Sequence, residues 1–208
     1  MTLKRHEDAR ARSGVLGVLA RLVLRGLDAE LQATLGELDW LLGAEVADLD
    51  AVAAAHHQTF FLDAFPYAGA FLDGSAAAGG WSDQVRAHYE PAGFTPVLDE
   101  LAADHLGIEL VFASFVCGAI AEALEDGRTS LAEQLERQLA SFYDECLLSW
   151  LPALVVALPV GEGTDEATSF WSRVLLETLE LVADHRQRLP GPRQGPTLAL
   201  VPGLLDDE

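Results

Sequence analysis

Apolar residues recur at three- and four-residue steps along most of the chain, the spacing that places side chains on one face of an α-helix. Two such patterns lie between residues 16 and 42. Between them, Gly26 and Asp28 predict a helix stop followed by the N-cap of a second helix. A third helix is predicted over residues 48–64, with Asp48 as its N-cap. The phenylalanines near its end predict close packing against neighbouring helices: Phe60, Phe61 and Phe65.

The second half of the chain continues the helical pattern. Ser130 and Glu133 have the spacing of a capping box that opens a helix, and Thr164 is placed to cap the last one. The apolar segment 147–158 predicts a fully buried helix. Without strand-like alternation or an internal repeat, the sequence predicts an all-α, single-domain multi-helix bundle over residues 1–208. Further helices are predicted over three ranges: 81–90, 102–124 and 166–188.

Two segments depart from the helical pattern. Residues 65–80 combine Pro66, four glycines and three aromatic residues, which predicts an irregular loop held by apolar anchors. The C-terminal tail, residues 189–208, contains four prolines and so is not predicted to be helical throughout. Its apolar part, residues 198–205, is predicted to be buried across the surface of the same domain.

Composition adds a compartment to this picture. The longest apolar runs, 110–121 and 147–158, are shorter than the roughly 20 residues that cross a bilayer, so no membrane span is predicted. The basic residues near the N-terminus interrupt the apolar run that an export signal would need. Cys117 and Cys146 lie in apolar helical patterns, which is typical of buried, reduced thiols. These features predict a cytoplasmic protein.

Net charge restricts the kind of partner. The chain carries −20 overall, but six basic and two acidic residues up to Arg25 give that segment +4, leaving −24 for the remainder. An acidic surface repels nucleic acid, so no nucleic-acid partner is expected. The same surface attracts cationic partners, although the charge also serves solubility alone.

Catalytic motifs are absent from the sequence. It contains no glycine elbow around a serine and no phosphate-binding glycine loop. Cys146 follows Asp144 and Glu145, whose carboxylates raise a thiol pKa and make it a poor nucleophile. The sequence therefore predicts a protein that is not an enzyme and has no cofactor.

Two groups of residues in the sequence contain potential metal ligands. His56 and His57 are adjacent and would point about 100° apart on a helix, so they are not expected to share one ion. The other group of potential ligands comprises Glu100, Asp104, His105 and Glu109. The alternative interpretation of that group is structural. Asp104 then caps the long helix, and His105 donates a hydrogen bond to a neighbouring loop.

Three segments, in order, resemble the TorD/DmsD family of cytoplasmic chaperones for molybdenum-containing redox enzymes, which has NarJ-like relatives. They are PYAGAFLDG, ADHLGIELVFASF and FYDECLLSWLPAL. The chain departs from the family pattern at Ala102 and Ser149, where proline is common, and at Cys146, where histidine is common. The matched positions are Pro66, Tyr67, Phe71, Asp104, His105, Leu110, Leu147, Leu148 and Trp150.

The resemblance implies a chaperone that binds a redox-enzyme precursor, often at its twin-arginine signal peptide, until the cofactor is inserted. It implies a monomer or a domain-swapped homodimer, and an exposed apolar cleft flanked by carboxylates. Two other hypotheses stay open: a helical small-molecule-binding or regulatory domain, and a metal-containing helical enzyme. The residues that the resemblance implies for peptide binding are Asp104, His105, Pro66, Tyr67, Phe71 and Trp150.

Overall fold

The computed structural model describes residues 2–37, 48–72, 80–96, 98, 100–158 and 164–191. Within these ranges the secondary structure is helical apart from turns and one isolated antiparallel bridge, so the all-α prediction is confirmed. The α-helices are α1 Thr2–Arg25, α2 Ala29–Glu37, α3 Leu49–His57, α4 Ala68–Phe71, α5 Gly80–Tyr89, α6 Leu106–Glu125, α7 Thr129–Phe142, α8 Leu148–Ala157 and α9 Glu166–Arg188. A π-helical turn, Gln58–Asp63, extends α3, and a second, Tyr143–Leu147, joins α7 to α8.

The antiparallel pair of α1 and α6 forms the centre of the bundle. The hydroxyls of Ser13 and Ser114 each donate to the other residue's carbonyl, at 2.9 and 2.8 Å. At the other end of the pair, Gly107 lets the backbone of α6 approach the side chain of Leu24. Small residues at these contacts allow the two backbones to lie close together, which brings the start of α6 under the end of α1.

The other helices cover this pair with aromatic packing. The ring of Phe112 on α6 lies 4.6 Å from Tyr89 of α5 and 4.7 Å from Phe142 of α7. On the opposite side, Trp171 of α9 donates its indole N–H to the carbonyl of Val52 in α3, at 2.9 Å. These contacts join α3, α5, α7 and α9 into one core around α6.

Four arginines of α1 form ion pairs with acidic side chains of neighbouring segments. Each exposed pair contributes at most about 1 kcal/mol, so their main effect is to orient α1 on its acidic neighbours. Much of the positive charge of the N-terminal segment is thus paired locally. The pairs are Arg5–Glu136, Arg10–Glu125, Arg12–Asp184 and Arg21 with both Asp28 and Glu30.

Predicted helix ends are confirmed in the first part of the chain. Gly26 has a φ of +75°, which favours glycine and ends α1. The Asp28 carboxylate accepts a hydrogen bond from the backbone N–H of Leu31, at 2.8 Å, and Asp48 accepts one from Ala51, at 3.0 Å. The further positions of the second pattern, Leu38 and Leu42, lie outside the described residues.

Two capping predictions in the second half are wrong. Helix α7 begins at Thr129 and its N-cap, Arg128, makes no side-chain cap, because the turn at Gly127 brings the N–H of Arg128 to the carbonyl of Ala123, at 2.7 Å. The Ser130 hydroxyl is therefore already inside the helix. At α9 the cap is Asp165 rather than Thr164.

The prediction that segment 147–158 is a fully buried helix is wrong, because only one face of this apolar helix is buried. Trp150, Leu151 and Leu154 of α8 are buried, whereas Val156 is 82% exposed. By length and composition, α6 and the continuous helical stretch 129–157 could each cross a membrane, which the sequence prediction of no span had not recognised. Burial explains the apolar character of α6, since 67% of its apolar window lies inside the protein.

Both cysteines are free and buried, as predicted. The chain is described as far as residue 191, so the prediction that residues 198–205 are buried falls outside the described ranges.

The contact of Gly107 with Leu24 provides a test of the central helix pair. A Cβ at position 107 would overlap the Leu24 side chain, so we expect Gly107→Ala to lower the free energy of unfolding by about 1–3 kcal/mol. Gly14→Ala in α1 is the matched control, because nothing lies within 4 Å of a Cβ there and alanine favours the helix. Urea denaturation of both variants measures the difference; equal stabilities would contradict the described packing.

Candidate functional site

The irregular loop and the start of α6 are joined by backbone hydrogen bonds. Tyr67 and His105 form an antiparallel bridge, in which the N–H of Leu106 donates to the carbonyl of Pro66, at 2.8 Å. One residue further along, the N–H of Ala68 donates to the carbonyl of Asp104, at 3.1 Å. We call this contact of residues 66–69 with residues 104–106 the junction. It delays the start of α6 to Leu106, four residues later than predicted, because the preceding residues bond to the loop instead.

The Asp104 side chain fastens α4 rather than capping α6. Its Oδ2 accepts a hydrogen bond from the backbone N–H of Gly69, at 3.1 Å. The cap of α6 is His105, whose Nδ1 accepts from the N–H of Gly107, at 3.0 Å. The prediction that Asp104 caps the long helix is therefore wrong, because the extended backbone at His105 directs the Asp104 carboxylate toward the loop.

His105 is a neutral, buried side chain. Because Nδ1 accepts a hydrogen bond, the ring proton belongs on Nε2. Burial, with a smaller effect of nearby His56, lowers the pKa of His105 to about 4. The Tyr67 ring packs edge-on against the imidazole, with 4.8 Å between the ring centres. The observed bond of the imidazole is to its own helix, not the predicted donation to a neighbouring loop.

Trp150 lies beneath α4 and contacts Phe71, the last residue of that helix. Trp150 is completely buried, and its indole N–H donates to Oε2 of Glu109, at 3.2 Å. The half-buried Phe71 ring stacks on it, with 5.8 Å between ring centres and 25° between ring planes. Phe71 thus covers one face of an indole that has no exposed surface of its own.

The predicted site residues are near one another, but they do not form an open cleft. Pro66, Asp104, His105 and Trp150 are buried, and only Tyr67 and Phe71 are partly exposed. The expectation of an exposed cleft at these six positions is wrong in the described structure, because the loop folds down onto the start of α6.

Glu109, beneath the junction, is an acidic side chain buried in the core, which the sequence did not predict. The side chain is fully buried, its Oε2 accepts a bond from Trp150, and its Oε1 has no hydrogen-bond partner among the residues that the structure describes. Burial raises the pKa of this carboxyl well above its ordinary value, and the nearby Asp104 adds to the effect, whereas the Trp150 bond opposes it. We therefore expect Glu109 to be protonated in the closed protein.

The potential metal ligands are not brought together. Glu100 is exposed, whereas Asp104, His105 and Glu109 are buried and bonded to Gly69, Gly107 and Trp150. Among the described ranges, no group of three or more histidine, cysteine, aspartate or glutamate side chains is placed to hold a metal ion. Their spacing along the sequence reflects a helix start and not a coordination site.

Burial also explains the state of Cys146. Its pKa is raised above the ordinary value, first by burial and then by the neighbouring carboxyl groups of Glu109 and Glu145. Such a thiol is protonated at neutral pH and is a poor nucleophile, as the sequence indicated.

An exposed apolar surface next to the junction was missed in the sequence. Phe61, Leu62 and Phe65 are 53, 58 and 52% exposed, and we call these three residues the ridge. The prediction that the phenylalanines of this segment pack closely is right for Phe60, which is buried, and wrong for Phe61 and Phe65. A signal was present, because consecutive residues 60–62 point in different directions on a helix and cannot all face the core.

Large apolar side chains that are exposed together on one short segment, as in the ridge, can mark a surface that binds other polypeptides. Residues 24–156 match the family model described as nitrate reductase delta subunit. The match covers more than half of the chain, and the chain belongs to this family of TorD-like chaperones of molybdoenzyme maturation. No curated protein and no solved structure matches the chain significantly.

Membership defines the general function. The protein is a chaperone in molybdoenzyme maturation, and its family acts with redox-enzyme subunits rather than as catalysts. The matched range runs from the end of α1 through most of α8, and it includes the ridge, the junction, Glu109 and Trp150.

The lowered pKa of His105 predicts a pH dependence of stability. Between the folded value of about 4 and the unfolded value of about 6.5, the unfolded chain binds more protons, so stability falls as the pH is lowered through this window. In His105→Asn the amide oxygen can still cap α6, but the titrating group is gone. We expect thermal unfolding to show a shallower loss of stability from pH 7 to 4 for this variant than for the unchanged protein. Parallel curves would contradict a buried, neutral His105.

Proposed function

We propose that this chaperone binds the N-terminal segment of a molybdenum-containing redox enzyme, in the form of a twin-arginine signal peptide, in the cytoplasm before export or assembly. The ridge carries this proposal, since three large apolar side chains are exposed beside the junction on one short segment. In this reading the precursor is held until its cofactor has been inserted. A signal peptide is basic at one end and apolar in the middle, and the two properties fit different parts of this protein.

The apolar part of the client supplies the affinity. Burying a fully exposed large apolar side chain contributes about 1.5–3 kcal/mol, and the three ridge residues are each about half exposed, so together they supply roughly 2–5 kcal/mol before ordering costs. Binding in the micromolar range, about 8 kcal/mol, also needs contacts beyond the ridge. A weak, reversible complex of this kind suits a chaperone that must release its client.

The basic part of the client responds to charge. The residues beyond Arg25 carry a net charge of −24. Arg5, Arg10 and Arg21 of α1 are already paired with acidic side chains. Long-range attraction of a cationic segment raises the rate of encounter and orients it, while adding little to the affinity. We therefore assign steering to the acidic surface and retention to the ridge.

The junction supports the ridge from behind. Phe65 precedes Pro66 directly, and the Pro66 carbonyl is bonded to the N–H of Leu106. Asp104 and His105 thus act as positioning residues for the loop, and Tyr67 and Phe71 are its partly exposed members that a peptide can contact. The alternative hypothesis, a regulatory small-molecule-binding domain, has no comparable structural support and stays a prediction from the helical pattern of the sequence.

The ridge can be tested by removing its apolar surface. We expect Phe61→Ser combined with Leu62→Ser to weaken binding at least about tenfold, because two apolar contacts are lost. The probe is a fluorescein-labelled synthetic peptide with two adjacent arginines followed by about ten leucine and alanine residues. Fluorescence anisotropy gives the affinity, and circular dichroism is expected to show unchanged melting, since both side chains are more than half exposed.

Leu176→Ser is the matched control. Leu176 is 44% exposed on α9 and lies outside the residues that match the family. We expect peptide affinity to be unchanged in this variant. The proposal fails if the ridge variant and the α9 variant bind equally well, or if the unchanged protein does not bind the peptide.

A further inference from the structure

Glu109 is costly to the fold in its present form. A buried polar group without a hydrogen-bond partner destabilises the fold, and Oε1 of Glu109 finds no partner among the described residues. Leucine or methionine would fill the same volume without that cost. A fully buried carboxyl with an oxygen that lacks a partner points to a use in another state of the protein.

The surroundings of Glu109 have the composition of an arginine site. The Trp150 indole N–H already orients the carboxyl, and the face of the same indole is covered by the flat ring of Phe71. A guanidinium group is also flat, stacks on aromatic faces, and donates several hydrogen bonds to a carboxylate. It could take the place of the Phe71 ring on Trp150 and satisfy the free Oε1 of Glu109.

We propose that Phe71 and α4 form a removable cover over Glu109 and Trp150, and that an arginine side chain of the client replaces Phe71 there. This inference rests on the proposed function, because it takes the arginine from the same peptide whose apolar part binds the ridge. It assigns Glu109 and Trp150 as arginine-recognition residues, and it gives the closed junction a role as the resting state.

Within the described residues, the cover has few polar attachments. Helix α4 has four residues, and its start is held by two hydrogen bonds to Asp104, from Ala68 and Gly69. Each such bond contributes little net stability, because it replaces a hydrogen bond with water. The ridge lies immediately before this loop in the chain, so a peptide bound there is close to the cover.

Arginine binding would change the protonation of Glu109. A neutral carboxyl that gains a guanidinium partner loses its proton to solvent, because the ion pair favours the carboxylate. The other groups that face Glu109 are Asp104 before α6, Tyr89 of α5 and Cys146 of the second π turn. The Tyr89 and Cys146 pKa values are raised by burial, so neither group supplies the released proton near neutral pH.

The test compares the arginine peptide described above with the same peptide carrying citrulline, which has the shape of arginine without its charge. We expect the citrulline peptide to bind the unchanged protein at least about tenfold more weakly. We expect Glu109→Gln to bind the arginine peptide more weakly by a similar factor and to show little preference for arginine over citrulline. This variant keeps an oxygen that can accept the Trp150 bond.

Proton release is measured by titration calorimetry in buffers with different ionisation enthalpies. We expect the unchanged protein to release a proton on binding the arginine peptide near neutral pH, and Glu109→Gln to release none from this site. Peptide binding with equal affinity for arginine and citrulline, or with the same proton release in both proteins, overturns the arginine site and leaves the ridge proposal standing. If neither peptide binds, both the arginine site and the ridge proposal are overturned.

Discussion

The junction between residues 66–69 and residues 104–106 is the constraint on which the site depends. A loop rich in glycine and aromatic residues would otherwise cover the bundle loosely, but here its backbone pairs with the extended segment before α6. That pairing fixes where α6 begins, which in turn places Glu109 one turn inside the helix and under Trp150. It also presents Phe65 to solvent at the point where the loop turns inward. One short contact thus sets the positions of the exposed ridge and of the buried carboxyl.

The structure separates two properties that a chaperone has to combine. The core around α1 and α6 is densely packed and does not depend on the client, while the loop over Trp150 is held by few bonds. A weakly held cover lets the protein bury Glu109 and Trp150 when it is alone and expose them when a suitable segment arrives. The energetic cost of keeping an unpaired carboxyl in the core is small beside the total stability of a domain of this size. This cost is, however, large enough to favour opening of the cover when a cation is available to pair with the carboxyl.

Much of the fold could be predicted from the sequence, because the period of the apolar residues and local caps such as Gly26 and Asp28 are determined within a few residues of chain. The predictions failed where a distant contact decides the local geometry. Asp104 looks like a helix cap until the loop at Gly69 competes for its carboxylate, and the phenylalanines near the end of α3 look alike until packing buries Phe60 alone. Glu109 had been grouped with potential metal ligands because spacing along a helix cannot show which side chains are buried. The juxtaposition of Phe71, Trp150 and Glu109 joins three separate segments, so no local pattern could reveal it.

Hydrogen exchange followed by mass spectrometry, on the protein alone and saturated with the arginine peptide, shows whether the client is held at the ridge and the adjacent loop. We expect slower exchange over residues 58–65 on binding, together with altered exchange over residues 66–72 as the cover moves. Protection confined to α9, or no change in residues 58–72 at saturating peptide, would exclude this placement of the client.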